Sequence, residues 1–330
     1  MSTQSHQTDR PTTGQPSDEQ SARERAVTDA VVASFAGSAD PRYREVMTSL
    51  VEHLHAFVRD VRLSETEWAG AIAFLKACGD VTTGTRHEFI LLSDVLGLSM
   101  LTIGVNNPVV DGATPADGAG AGAGATEATV FGPFFVPGSP ETPIGGDVSQ
   151  GAKGQPCWVE GTVTDTSGAP VPGARIEVWE ADEDGFYDVQ LEGAAGAPMT
   201  GRGHLFSADD GSYAFWSVLP ASYPIPDDGP VGELLAAAGR SSYRPAHVHV
   251  MVTAPGMRTL VTHVFVAGDP YLGSDAVFGV KDSLVLDFPE QPPGEAPGRT
   301  VEDGPWYRTR FDIVLAPDTR STDSTERTPA

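Results

Sequence analysis

The chain has 330 residues and a formal net charge of −24, from 45 acidic and 21 basic side chains. This excess of negative charge repels nucleic acid and anionic membrane surfaces, so neither is expected as a partner. The two cysteines, Cys78 and Cys157, are too few for a disulfide framework, and no run reaches the roughly 20 apolar residues of a membrane span, so we expect a cytoplasmic protein.

Polar segments divide the chain. Residues 1–24 and 319–330 are rich in polar and charged side chains and predict disordered tails, the first without the apolar core of a signal peptide. Residues 111–127 repeat Gly and Ala and predict a flexible loop. Between these segments lie a region with helical periodicity, 25–110, and a larger region, 128–318.

The region 25–110 is predicted to be helical. Apolar residues recur at spacings of three and four and form one stripe: Val46, Leu50, Leu54, Phe57 and Val61. Ser64 and Glu67 form a capping box before the next helix, and residues 88–101 predict a third. Because the apolar stripe needs a partner, we interpret this region as a dimerisation and linker region.

From Ala128 the period of the apolar residues changes from 3.6 to 2. The alternating runs predict strands at residues 158–164, 175–179, 212–216, 247–252, 263–266 and 307–314. Asp-Gly pairs at 184–185 and 210–211 are turn signals. Because no long helices separate the strands, we predict a mainly β protein, an antiparallel β-sandwich preceded by helices.

Two histidines begin the predicted strand at 247–252. Side chains two residues apart on a strand project from the same face, roughly 7 Å apart, so His247 and His249 can bind one metal ion. Alone, this spacing equally fits two polar residues on a solvated face. Tyr187 follows a predicted strand and Tyr223 lies in a proline-rich loop. They are further candidate donors, although an aromatic that closes the end of the sandwich explains Tyr223 as well.

A set of segments carries a family resemblance in its order and spacing. The segments are 128–136, 178–179 with 185–187, 223–226, 244–249, 262–266, 268–269, 277–281 and 310–315. They resemble the intradiol ring-cleaving dioxygenases, and within that family the hydroxyquinol branch. The resemblance extends from the first helix to Leu315. It implies an enzyme that cleaves hydroxyquinol (benzene-1,2,4-triol) with O₂ to 3-hydroxy-cis,cis-muconate, which tautomerises to maleylacetate.

The resemblance also implies a cofactor, one non-haem Fe(III) held by two tyrosinates and two histidines. The matching positions are Tyr187, Tyr223, His247 and His249. Phenolates are hard, charged oxygen donors that suit a ferric ion. Tyr223 is expected to leave the metal and accept a proton from the substrate, and Arg244 to stabilise negative charge on the ring. For Arg244 the alternative is a surface salt bridge.

A substrate pocket is implied in the same way. Its residues are Leu91, Asp94, Val130, Phe131, Gly132, Pro133, Phe134, Ile225, Pro226, Arg244 and Val277. Phe131 and His263 stand where the catechol branch carries glutamate and glutamine, and we expect His263 to lie beside the metal without binding it. Asp94 is expected to accept a hydrogen bond from the third hydroxyl of the substrate, or else to be a helix-surface charge.

Two other functions stay open on the sequence. One is cleavage of catechol or chlorocatechol by the same chemistry. The other is a non-catalytic module, because residues 161–174 also resemble the opening of carboxypeptidase-regulatory-like sandwich domains, which report a fold rather than an activity. The expected partners are a small aromatic diol or triol, O₂ and a second copy of the chain. The resemblance also leaves open whether a phospholipid binds at the helical interface, as it does in relatives.

Overall fold

The computed structural model describes residues 16–83, 86–107, 124–191 and 198–318. The predicted tails at 1–15 and 319–330, and residues 111–123 of the predicted loop, lie outside the described residues. The chain divides into two compact units between Asp80 and Val81.

The first unit is built from helices. They are α1 (Asp18–Ser34), α2 (Pro41–Val61) and α3 (Glu65–Val81), the last of which ends at the division. The Ser17 side chain accepts a hydrogen bond from the Gln20 amide and caps α1, so residues 18–24 are helical and the tail predicted to reach residue 24 is shorter. The capping box of α3 is confirmed: the Ser64 amide donates to Glu67 Oε2 at 2.9 Å, and the Glu67 amide donates to Ser64 Oγ at 3.2 Å.

Three helices belong to the second unit: α4 (Glu88–Val95), α5 (Leu98–Asn106) and α6 (Pro230–Ala237). The single helix predicted at 88–101 is instead two helices that meet at 75°, because Gly97 adopts a φ of 72° between them. Among the described residues no single helix is long and apolar enough to cross a membrane, and only the bent pair α4–α5 meets the criteria, by length and composition.

The strands of the second unit have these bounds: β1 (Pro156–Asp165), β2 (Arg175–Glu180), β3 (Arg202–Phe206), β4 (Ser212–Val218), β5 (Tyr223–Pro224), β6 (Tyr243–Arg244), β7 (His247–Thr253), β8 (Leu260–Val266), β9 (Val285–Leu286), β10 (Glu290–Gln291), β11 (Gly294–Ala296), β12 (Arg299–Val301), β13 (Trp306–Arg310) and β14 (Ile313–Leu315). One five-stranded sheet has the order β10-β13-β1-β14, with β4 also paired to β1. The other has the order β3-β2-β7-β8-β9. Two short pairs, β5-β6 and β11-β12, complete the described strands.

A helical N-terminal region followed by a strand-rich region is confirmed, but the prediction of purely antiparallel sheets is wrong in part. Strand β1 runs parallel to both β13 and β14, and β8 runs parallel to β9. The strand predicted at 307–314 breaks at Phe311 and Asp312, and each half pairs with a different part of β1. Alternation indicates which face of a strand is buried, but it carries no information on the direction of a partner more than a hundred residues away.

One apolar core joins the two five-stranded sheets. Strands β1 and β4 contribute Val159 and Phe215, and β2 and β7 contribute Ile176 and Val250, all at most 5% exposed. On β7 the core residues alternate with His247 and His249, which therefore project from the opposite face of their sheet. That face carries the candidate site.

Candidate metal centre and substrate pocket

Four donor atoms converge on this face from three parts of the second unit. Tyr187 follows β2, Tyr223 lies on β5, and the two histidines lie on β7. The phenol oxygens of Tyr187 and Tyr223 are 3.2 Å apart, and Tyr223 Oη is 3.4 Å from His247 Nε2. His247 Nε2 is in turn 3.2 Å from His249 Nε2. All four side chains are buried, Tyr223 the most exposed of them at 4%.

Two glycines make room for these side chains. Gly185 has a φ of 84°, and a Cβ there would lie 2.8 Å from Cβ of Tyr223. Gly132 has a φ of 74°, and a Cβ there would lie 2.8 Å from Cε1 of His249. Both positions combine a left-handed backbone with a close approach, so only glycine fits without displacing a candidate ligand.

The ring of His247 has a defined tautomer. Its Nδ1 lies 2.7 Å from the Pro245 carbonyl oxygen, which can only accept, so Nδ1 carries the proton and Nε2 presents a lone pair. Nη1 of Arg244 lies 3.0 Å from that Nε2. A backbone carbonyl that orients a histidine through its distal nitrogen is the usual support of a metal ligand.

Burial shifts the pKa of every donor toward its neutral form. It raises the pKa of Tyr187 well above the ordinary value, with a further contribution from Tyr223, and it raises the pKa of Tyr223 against the opposing effect of Arg244. It also lowers the pKa of His247 and His249 well below the ordinary value. Phenolates at neutral pH therefore require a bound cation, whereas the histidines are already in the form that binds one.

This donor set fits a ferric ion. Donors that share one ion at bond lengths of about 2 Å lie roughly 3 to 3.5 Å from their neighbours. The three successive separations, 3.2, 3.4 and 3.2 Å, fall in this range. Two phenol oxygens and two imidazole nitrogens, of which the oxygens become anionic on binding, are a hard donor set suited to a trivalent ion.

Two residues on the adjacent strands flank His249 and support its ring. Trp179 of β2 and His263 of β8 are its register partners on either side. The Trp179 ring stacks on the His249 ring at 4.7 Å and 14°, and the His263 ring lies 4.2 Å from it. Nδ1 of His263 is 2.5 Å from Thr129 Oγ1. His247, His249 and His263 present ligand atoms within 4.8 Å of one another, so His263 lies beside the centre as expected, and its absence from the ligand set stays a prediction.

Arg244, on β6, is buried beside the centre and is not a surface residue. Its Nε donates to Oδ1 of Asp275 at 3.1 Å. Burial alone would lower the pKa of the guanidinium, but the Asp275 carboxylate and Tyr223 outweigh it and raise that pKa. Arg244 therefore remains a cation among the candidate ligands.

A cavity of about 490 Å³ opens in the second unit. Five of the predicted pocket residues line it: Leu91, Asp94, Pro133, Phe134 and Pro226. The other six predicted residues do not line this cavity: Val130, Gly132, Ile225, Arg244 and Val277 lie outside it, and Phe131 contacts the rings of Phe135 and Trp179. Phe134 joins the cavity to the centre, because its ring stacks on that of Tyr187 at 4.5 Å.

Asp94 is a buried residue of α4, with 7% of its surface exposed, so the alternative of a helix-surface charge is wrong. Burial raises the pKa of its carboxyl, while the Ser99 hydroxyl and Arg244 act in the opposite direction. Asp94 thus places a polar group in an otherwise largely apolar wall of the cavity.

Several residues of the site were not predicted. Asp275, the partner of Arg244, lies two residues before the segment 277–281, and no role followed from its position. Trp179 is part of a segment that carries the resemblance, but no role followed from its position. The cavity has further unpredicted walls: Arg86, His87, Ile90, Phe135, Val136, Val189 and Gln190. Gln190 could have been found from its spacing, because it lies three residues after Tyr187. The Gln190 side chain accepts a hydrogen bond from the Tyr187 amide at 3.0 Å.

Comparison with known proteins agrees with this fold. The profile of the family described as "Dioxygenase" matches residues 130–317, and that described as "Catechol dioxygenase N terminus" matches residues 40–114. The chain therefore belongs to the intradiol ring-cleaving dioxygenases, a class that uses non-haem iron.

Its relatives include enzymes named for one substrate. The chain is 59% identical to the hydroxyquinol 1,2-dioxygenase of Rhodococcus opacus, over 91% of this chain and 96% of that one. It is 60% identical to the hydroxyquinol 1,2-dioxygenase of Nocardioides simplex, over 91% and 97%. The solved structure of hydroxyquinol 1,2-dioxygenase from Pseudomonas putida DLL-E4 superposes with a TM-score of 0.79 at 42% identity, covering 90% of this chain and 100% of that one.

Proposed function

We propose that this chain cleaves hydroxyquinol with O₂, between two adjacent hydroxylated carbons, to give 3-hydroxy-cis,cis-muconate and from it maleylacetate. The observation that carries the proposal is the convergence of two phenol oxygens and two imidazole nitrogens in one buried place. Relatives named for this substrate, at identities of 59% and 60%, support the choice of ring.

Tyr187, Tyr223, His247 and His249 would hold one Fe(III) per chain. Two phenolates and one hydroxide would balance its three positive charges. When bound, the ferric ion supplies the Lewis acidity that binds a pair of adjacent ring oxygens and makes the ring reactive toward O₂. The enzyme incorporates both oxygen atoms of O₂ into the product.

The chain's own residues bind and orient the ring. Tyr223 accepts a proton at Oη from one substrate hydroxyl. Burial raises the pKa of both phenols, but Arg244 counteracts this rise more strongly at Tyr223 than at Tyr187, so Tyr223 is the better candidate for the base. Arg244 presents a buried cation 3.0 Å from His247 Nε2, and this cation would stabilise negative charge on a ring bound at the centre. Leu91, Pro133, Phe134 and Pro226 give the cavity apolar walls that would exclude water from a bound ring.

Asp94 is the residue we propose to accept a hydrogen bond from the third hydroxyl. It is a buried polar group on the cavity wall. A site built to pair a substrate hydroxyl discriminates against an analogue that lacks it, because the protein group is then left unpaired. Hydroxyquinol is thereby preferred over catechol.

Steady-state rates on hydroxyquinol and catechol, with O₂ uptake measured alongside, test the function. We expect one O₂ consumed per ring, a higher kcat/KM on hydroxyquinol, and a reddish protein from charge transfer between tyrosinate and Fe(III). A preference for catechol or chlorocatechol would move the substrate to that branch. A colourless protein without O₂ uptake, when supplied with iron, would favour the non-catalytic module.

A homodimer formed through the helical region is also proposed. On α2, Leu50, Leu54 and Phe57 form a stripe in which each side chain is 47% to 53% exposed. Apolar stripes of this kind are usually covered by a partner. Sedimentation at micromolar concentration should give twice the monomer mass, and a monomer alone would contradict the proposal.

The remaining predictions are smaller. In the first unit a cavity of about 890 Å³ is lined by Val27, Val58, Leu63 and Trp68 among others. The size and apolar residues of this cavity support the proposal that the helical region binds a phospholipid. Mass spectrometry of solvent extracts would detect it. The cytoplasmic location and the divisions of the chain at residues 110, 127 and 318 stay predictions.

A further inference from the structure

Arg244 is held by a carboxylate to which the proposed reaction assigns no part. Its Nε donates to Oδ1 of Asp275 at 3.1 Å, and its Nη2 lies 3.5 Å from Oδ2. The two side chains are only 4% and 2% exposed. Asp275 therefore contacts the edge of the guanidinium formed by Nε and Nη2.

The backbone of its own loop fixes Asp275. The amide of Val277 donates to Oδ1 at 3.3 Å and the amide of Gly279 donates to Oδ2 at 2.8 Å. A Cβ at Gly279 would lie 3.1 Å from Nη2 of Arg244 and 3.1 Å from Oδ2 of Asp275. The turn at residues 275–279 thus encloses the ion pair closely and leaves the carboxylate little freedom to move.

This arrangement sets the direction of the remaining nitrogen. A guanidinium is planar, so contacts at Nε and Nη2 define the orientation of the whole group. Nη1 then points to Nε2 of His247, 3.0 Å away, and so into the candidate centre. Without Asp275 the long arginine side chain would have several staggered rotamers available.

We propose that Asp275 is a positioning residue that aims Nη1 of Arg244 at the substrate oxygens. The proposal rests on the proposed function, because it assigns a purpose to the direction of Arg244. The competing explanation is that Asp275 only offsets the burial of the Arg244 charge, in which case its loss destabilises the fold but leaves the kcat of the folded enzyme unchanged.

A double-mutant cycle separates the two explanations. In the wild-type background Asp275→Asn is expected to lower kcat about 30- to 100-fold, the size of effect that follows from a misplaced catalytic group, with KM changed by less than about threefold. In the Arg244→Met background the same change is expected to cost less than about threefold, because there is no guanidinium left to aim. Equal losses in the two backgrounds would overturn the proposal.

A second variant keeps the test decisive if Asp275→Asn folds poorly. Asp275→Glu preserves the charge but moves the carboxylate by one methylene, so we expect kcat to fall at least about tenfold by the same misplacement. Full kcat in Asp275→Glu would also overturn the proposal. Iron content and the visible band should be unchanged in both variants, since neither changes a metal donor.

The control is a buried acid paired with an arginine elsewhere. Glu177, on β2, accepts from Arg175 and from Ser139, and it has no contact with Arg244 among the described residues. Glu177→Gln should lower the unfolding temperature and leave kcat within about twofold. A wild-type enzyme that oxidises neither hydroxyquinol nor catechol would overturn the proposed function and this proposal together. An active wild type with equal losses overturns this proposal alone.

Discussion

The two faces of strand β7 are both buried, yet they serve different ends. Val248, Val250 and Val252 pack into the apolar core between the sheets, while His247 and His249 project from the other face. Apolar side chains are stabilised by burial itself. Imidazoles are not, and they depend on hydrogen bonds or a metal ion to offset their desolvation. Alternate residues of one strand therefore carry stability and chemistry. Substitutions on the core face should lower stability and those on the site face should lower activity.

Removing a donor from the site face gives the largest expected effect on activity. Tyr187→Phe deletes one phenol oxygen of the centre and should lower kcat at least about 100-fold with loss of most of the visible band, since changes around metal ligands alone cost 10- to 100-fold. The unfolding temperature of the iron-free protein should stay within a few degrees.

Tyr213→Phe is the matched control, because the Tyr213 hydroxyl is also buried but donates to the Phe311 carbonyl in the core. It should lower stability and leave the band intact. If Tyr187→Phe keeps both band and activity, the ligand assignment is wrong.

The opposite substitution is on the core face of the neighbouring strand. Ile176 of β2 is completely buried, and Ile176→Ala should lower the free energy of unfolding by about 2 to 5 kcal/mol through lost burial and a cavity. Urea titration measures the loss. The folded fraction should retain kcat within about twofold, and a large fall in kcat at unchanged stability would show that the two faces are not separable.

Asp94 sharpens the comparison within the pocket. Asp94→Ala should lower kcat/KM for hydroxyquinol roughly tenfold more than for catechol, because only the first ring carries the hydroxyl that we propose it binds. Asp94→Asn, which keeps an acceptor oxygen, should recover part of the difference. Equal losses on the two rings would reduce Asp94 to a structural residue.

Glu180 is an exception to the apolar face, because it shares that face with Ile176 and Val178. Burial raises its pKa to about 8, although the Ser217 hydroxyl and the Val218 amide oppose the shift. The folded state therefore binds a proton that the unfolded state loses near pH 4.5. Its contribution to stability is complete below about pH 4.5 and is lost as the pH rises to about 8, by at most about 1.4 kcal/mol per pH unit.

Glu180→Gln should remove this slope from unfolding free energies measured between pH 5 and about 8. The stability of the variant relative to wild type should therefore increase toward the alkaline end of the series. Parallel pH profiles for the two proteins would mean that Glu180 is ionised in the fold.

The sequence predicts best what short-range patterns determine. The capping box at Ser64 and the period-two run at His247 each lie within a few residues, and both predicted elements are present. The break at Gly97 was missed, because one glycine in an apolar helical pattern is compatible with a continuous helix. Strand β3 was missed as well, because Arg202–Phe206 is buried on both faces at most positions and so does not alternate.

For the site, the sequence predicts side chains with distinctive chemistry better than their supports. Tyr187, Tyr223, His247 and His249 follow from donor type, spacing and resemblance, and the fold brings their donor atoms together. Asp275 does not, because its role depends on a pairing with β6 across 31 residues of chain. An aspartate in a turn looks the same in sequence whether it is solvated or holds a buried arginine.

The alternation on β7 also limits how this segment can change its length. Inserting or deleting one residue between His249 and Val250 would reverse the faces on one side of the change, so that either the histidines turn into the core or Val250 and Val252 turn toward the centre. Either outcome damages one of the two faces in a single step. The segment can therefore diverge through substitution but not through insertion or deletion. Its constant length makes it a reference segment for aligning distant members of the family.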